Sequence, residues 1–88
     1  ERILWSEIGL TDDWNDWTPT SPQLLLEPDR DYEGGHLKLV ASERGLAKGQ
    51  VRQLRDPAIF DDGQRIYLLY SVAGESGIAI AKLKLSDI

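Results

Sequence analysis

Arg65-Ile-Tyr-Leu-Leu-Tyr-Ser-Val72 leaves this chain little choice. The run is rich in β-branched and aromatic residues, which suit a pleated, packed surface, and it reads as a strand. Side chains alternate along a strand, so Ile66, Leu68, Tyr70 and Val72 share one face and Tyr67 and Leu69 the other. Both faces are apolar, which predicts a strand covered on both sides. Ala58-Ile59-Phe60 stands ahead of it, followed by Asp61-Asp62-Gly63-Gln64. Asp-Gly between apolar runs is a strong hairpin cue, because Gly accepts positive φ and Asp tolerates it. After the strand, Ala73-Gly74-Glu75-Ser76-Gly77 forms a second turn cluster. Strand character then resumes over Ile78–Leu85, with Lys82 and Lys84 marking a solvated end. Residues 58–85 therefore predict an antiparallel three-strand meander.

Upstream, Ile3–Ile8 reads as a strand and Gln23–Glu27 as a shorter one that Pro28 ends. Thr11–Pro19, between them, is too polar for a helix, and its Trp14 and Trp17 are expected to staple the loop to the flanking strands. Residues 29–57 are the least regular, and loops of this length inside a small domain are often functional. No 3.6-residue apolar period runs through the chain. The fold class expected is all-β, built of antiparallel meanders. Its parts are residues 1–28, an irregular segment 29–57 and the meander 58–88, with no independent second domain.

Composition narrows the function. At 88 residues the chain has about one small domain's length, and folding buries only about 60–65 % of the unfolded surface. It has no cysteine, so neither disulfides nor thiolate metal sites reinforce it. The net charge of −5 disfavours nucleic acid, whose phosphates need a basic face, while a neutral sugar remains compatible. No apolar run approaches the ~20 residues that span a bilayer, and the opening residues lack the pattern of a secretory leader.

Arg55-Asp-Pro-Ala-Ile-Phe-Asp-Asp-Gly63, followed by Tyr67-Leu-Leu-Tyr-Ser71, resembles a blade of the five-bladed β-propeller glycosidases, glycoside hydrolase families 43, 32 and 130. Thr11–Thr18 is similar to the Asp- and Trp-bearing loop between the last two strands of such a blade. Tyr32-Glu33-Gly34 is similar to the Glu-Gly segment carrying the general acid in family 43. The resemblance implies about one and a half blades: residues 3–8 and 23–27 as outer strands of one, and 58–85 as the inner three strands of the last. It also implies the C-terminal tail of a longer propeller. An excised piece of that kind leaves sheet faces and strand edges open, and so requires the rest of the propeller or self-association.

The resemblance makes Glu33 the candidate acid and Asp56 the candidate stabiliser of an oxocarbenium-like transition state. Inverting glycosidases hold two carboxyls about 6.5–9.5 Å apart, and the resemblance implies that the water-activating partner lies in an earlier blade. Partial burial beside Tyr32 would raise the pKa of Glu33; its bland alternative is an exposed carboxylate in an acidic stretch. Asp56 is equally readable as a structural Asp-Pro strand start. One departure weighs against both roles together: in family 43 the accessory Asp precedes the acid, whereas here Glu33 precedes Asp56. Tyr32, His36, Arg52 and Arg55 are the candidate contacts to a carbohydrate. Against that stand a surface imidazole for His36 and an internal salt bridge for the arginines. Trp5, Trp14 and Trp17 suit sugar stacking or, more simply, packing. With one His and no Cys, no metal site or other cofactor is expected. Two functions follow: a glycosidic-bond-cleaving propeller, inactive as this stretch alone, or a non-catalytic carbohydrate-binding or structural module. A shared pocket holding both Glu33 and Asp56 favours the first.

Overall fold

The computed structural model describes residues 1–85, and they form an all-β, antiparallel structure. A two-stranded ribbon pairs β1 (Ile3–Trp5) with β2 (Gln23–Leu26), and a three-stranded sheet runs in the order β3 (Arg55–Asp61), β4 (Ile66–Val72), β5 (Gly77–Leu83). No α-helix occurs among the described residues; two single 3-10 turns, Trp14–Asp16 and Asp31–Glu33, punctuate the loops.

Local chemistry explains the meander. At the β3–β4 turn the Asp61 carboxylate accepts the Gly63 amide at 2.8 Å. Asp62 accepts those of Gln64 and Arg65 at 2.9 and 2.6 Å. Gly63 sits at φ 91°, which its missing Cβ permits. Three donors accumulate on two carboxylates, and the bonds from Gln64 and Arg65 hold the Asp62 carboxyl below its ordinary range. The β4–β5 turn closes through Ser76, whose amide donates to the Val72 carbonyl and whose hydroxyl donates to that of Ala73.

Register decides which side chains meet. On the inner face Leu68 opposes Ala81, Ile66 opposes Leu83 and Tyr70 opposes Ala79. This face and the ribbon build the core: Leu68, Tyr70 and Val72 are buried together with Ile3 and Leu54, and Leu25, Leu26, Ala79, Ala81 and Leu83 pack around them. On the outer face Phe60 opposes Tyr67, and Leu69 lies between Ala58 and Ile80. That face is open: Phe60 is 58 % exposed, Ile78 78 % and Ile80 60 %. The expectation of a β4 covered on both sides thus holds for one side.

Other boundaries shift. The meander starts at Arg55, so Asp56 and Pro57 lie inside β3, where a register shift between Arg55 and Ala58 accommodates them. The first strand stops at Trp5; beyond it, Ile8 makes only an isolated bridge to Pro19. The last strand ends at Leu83, and positions 86–88 of the third segment lie outside the described residues. The tryptophans do not staple the loop to the strands. Trp14 is 70 % exposed, and Trp17, 42 % exposed, donates its indole N–H to the Thr11 carbonyl within the same loop. The polar loop satisfies itself, because Asp13 caps the Trp14–Asp16 turn through the Asn15 amide.

The molecule is extended for its mass. Its radius of gyration is 14.9 Å, where about 12 Å is expected of a closed domain of this length. Its accessible surface is 6854 Å² at 9.9 kDa, against about 5,200 Å² for a folded monomer of that mass.

Candidate functional site

Glu33 is the best-held carboxylate among the described residues, and it is buried at 2 % exposure. The Asp31–Glu33 turn brings its side chain back over its own start, where Oε1 accepts the backbone N–H groups of Asp29 and Arg30 at 3.1 and 2.9 Å. Oε2 accepts the Tyr70 hydroxyl at 2.5 Å, a bond reaching from the loop into the middle of β4. The backbone follows the side chain: the Ala73 amide donates to the Glu33 carbonyl at 3.1 Å. Neither the exposed carboxylate nor the half-buried acid with a raised pKa is what the fold builds. Burial pushes the carboxyl up, but the Tyr70 hydroxyl, the Arg30 and Asp29 amides and the Arg30 charge together hold it below its ordinary range. Tyr70, buried against a carboxylate, has its hydroxyl pushed far up and stays a donor.

The two glycines after Glu33 belong to the same device. Gly34 ends the turn in the left-handed conformation at φ 86°. A Cβ on Gly35 would lie 2.3 Å from the Asp29 carbonyl oxygen, so only glycine lets the strands of this loop close on each other. The Glu-Gly-Gly sequence is thus accounted for by tight packing around a capped carboxylate.

Asp56 stands elsewhere. Its side chain is exposed, its φ is 51°, and its Oδ2 lies 3.4 Å from the Ser71 hydroxyl, a weak bond at best. It opens onto a cleft of about 740 Å³ that it shares with Glu1, Arg2, Glu43, Arg55 and Glu75, and that Glu33 does not line. The two candidate carboxylates therefore do not converge on one pocket.

Arg55 is committed to the fold. Its guanidinium donates to the Gly45 carbonyl at 2.8 Å, to Gln53 Oε1 at 2.9 Å and to Glu1 Oε2 at 3.2 Å. Its Nε lies 2.8 Å from Glu1 Oε1, yet the N–H is not aimed at that oxygen and makes no hydrogen bond. The salt-bridge reading of Arg55 holds, with Glu1 as the partner. Arg52 is half-buried, Tyr32 is 59 % exposed, and His36 is an exposed imidazole 3.7 Å from an Asp31 oxygen. Tyr32 and His36 flank Glu33 in sequence; His36 faces solvent, whereas Tyr32, though mostly exposed, comes near enough to the Tyr70 hydroxyl to help push it up. Among the described residues no three His, Cys, Asp or Glu side chains cluster as metal ligands.

Tyr70 and Gln53 were not singled out by sequence. Tyr70 answers Glu33 across 37 residues, and Gln53, 2 % exposed, receives Arg55. The even placement of Tyr70 on the inner face of β4 is the one local signal, and it reads as core.

No family model matches the chain, and no solved structure matches it. It is similar to an uncharacterized protein of Acanthamoeba polyphaga mimivirus, with 48 % identity over 84 residues. The match takes in 94 % of this chain and 24 % of the viral protein, so the chain spans about a quarter of that relative's length.

Proposed function

We propose that this chain is a non-catalytic structural module of a longer all-β protein, in an arrangement resembling a β-propeller, with Glu33 as an architectural carboxylate. One observation carries the reading: all of Glu33's reach is spent inside the fold, on three donors at 2.5–3.1 Å. A general acid must hold a proton and present it to a leaving-group oxygen. Glu33 favours its ionised form and is sealed from solvent. The test is an assay of the full-length polypeptide on aryl glycosides, with Glu33→Gln beside the parent sequence. Loss of stability without a separate loss of turnover is expected; turnover abolished at an unchanged urea midpoint overturns the reading.

A second reading is favoured by Asp56 alone. A non-glycine residue at positive φ, with an exposed carboxylate on a cleft, is the kind of strained position that occurs at functional sites. Under it, the chain lends Asp56, not Glu33, to a carbohydrate-cleaving site completed by residues elsewhere. Asp56→Asn would then lower turnover with the urea midpoint unmoved.

A further inference from the structure

The β3–β4–β5 sheet is greasy on both faces, and its inner face is packed along β4 and β5, while Ile59 on β3, opposite Leu68, is 62 % exposed. Its outer face presents Ala58, Phe60, Tyr67, Leu69, Ile78 and Ile80 in register, with Lys82 at one end and Ser71, beside the Asp56 carboxylate, at the other. A sheet face meant for water is polar along its length, and this one is polar only at its two ends. Contiguous apolar surface of that kind marks a contact site in a soluble protein. Both outer edges of the sheet are also unpaired among the described strands.

Three observations select the occupant. The 48 %-identical viral relative continues well beyond the matched stretch, which is 24 % of its length, so a chain of this kind has further polypeptide available. The molecule exposes about 1,600 Å² more than a closed monomer of its mass, roughly twice what one partner gives to a standard interface. The patch is pleated and built from parallel rows of side chains, and the surface that fits it is another sheet about 10 Å away. A second copy of the chain would meet that geometry but would bring together two bodies each of charge −5.

We propose that the Phe60–Ile80 face packs against an apolar sheet formed by polypeptide outside these 88 residues, within one longer chain. The proposal rests on the reading of the chain as an architectural module and adds the surface through which it is built in. The 88 residues hold no cysteine, so a thiol placed in them is the only one in this stretch, and peptide-level mass spectrometry reads it separately from any other. Ile80→Cys would be introduced into the full-length polypeptide and into the 88-residue chain. Alkylation at position 80 would then be timed by mass spectrometry, and Phe60→Cys serves as an independent second probe. In the full-length protein the thiol must await opening of the interface, so alkylation about tenfold slower or more than in the short chain is expected. Equal, fast rates in both overturn the proposal. Slow alkylation in both also overturns it, and acceleration on dilution of the short chain then assigns the face to a second copy. Glycosidase activity lost in Glu33→Gln would sink the architectural reading without altering these rates, so the two failures are distinguishable.

Discussion

At position 33 a carboxylate is asked to satisfy backbone donors that a loop would otherwise leave unpaired. Buried N–H groups without partners cost about 1–3 kcal/mol each, so the bond network around Glu33 holds the loop against the sheet. Tyr70→Phe removes one charge-assisted donor from the sealed carboxylate, and a loss of about 1–3 kcal/mol at pH 7 is expected in urea unfolding. The pH dependence has a definite sign. Glu33 is held below its ordinary value of 4.5 in the folded state, so its stabilisation is complete above that value and fades as pH falls through the lower, folded one. The gap between the parent and Tyr70→Phe therefore narrows in acid; a gap that widens below pH 4 contradicts the assignment. Asp56 tests the other candidate. Its left-handed backbone costs about 1–2 kcal/mol, of which glycine returns all but its own entropic loss of about 0.5–1. Asp56→Gly should leave the chain slightly more stable by thermal melting, and a clear destabilisation would mean that its carboxylate carries a structural bond.

Whether an element was legible in the sequence depended on whether its partners were near in the chain. The β3–β4–β5 meander declared itself through Asp62-Gly63 and a run of alternating apolar residues, because hairpins are specified by a few neighbouring positions. The irregular 29–57 segment had no such code. It is fastened by long-range bonds: Ala73 to Glu33, Val51 to Ala73, Gly74 to Gln53, and the Ala47 amide to the Glu75 carboxylate. None of these leaves a periodic trace. Glu33 was legible as unusual, beside two glycines, but its role depended on Tyr70, and spacing cannot reveal that partner. The Trp14–Trp17 loop misled in the opposite direction, since large apolar side chains suggest burial and this loop instead bonds to itself. The glycines give the element its sharpest test. Gly35→Ala drives a methyl into the Asp29 backbone, an overpacking clash of about 1–3 kcal/mol or more. Gly49→Ala meets nothing within 4 Å, so it should move the urea midpoint little. Equal midpoints for the two would show that the loop does not close as described.

For the molecule as a whole, one sheet has an inner side that is dry along β4 and an outer side that is wet, made of the same kinds of residue. That asymmetry is measurable without knowing what the full polypeptide does. Unfolding the chain exposes about 7,500 Å², where a closed domain of its mass would expose about 9,200 Å². The urea dependence of its unfolding free energy scales with that area and should be about four-fifths of the closed-domain value. Point substitutions divide along the same line. Leu68 is 3 % exposed on the inner face, and truncation to Ala removes packing at a cost of about 2–5 kcal/mol. Ile80 lies one strand away, aimed outward at 60 % exposure, and Ile80→Lys in the 88-residue chain should fall within about 0.5 kcal/mol of the parent. Where further polypeptide covers the outer face, as proposed, the same lysine becomes a buried unpaired charge, and its cost rises to several kcal/mol. A substitution harmless in the part and severe in the whole locates a missing neighbour, and equal mildness in both settings would leave the outer face with nothing against it.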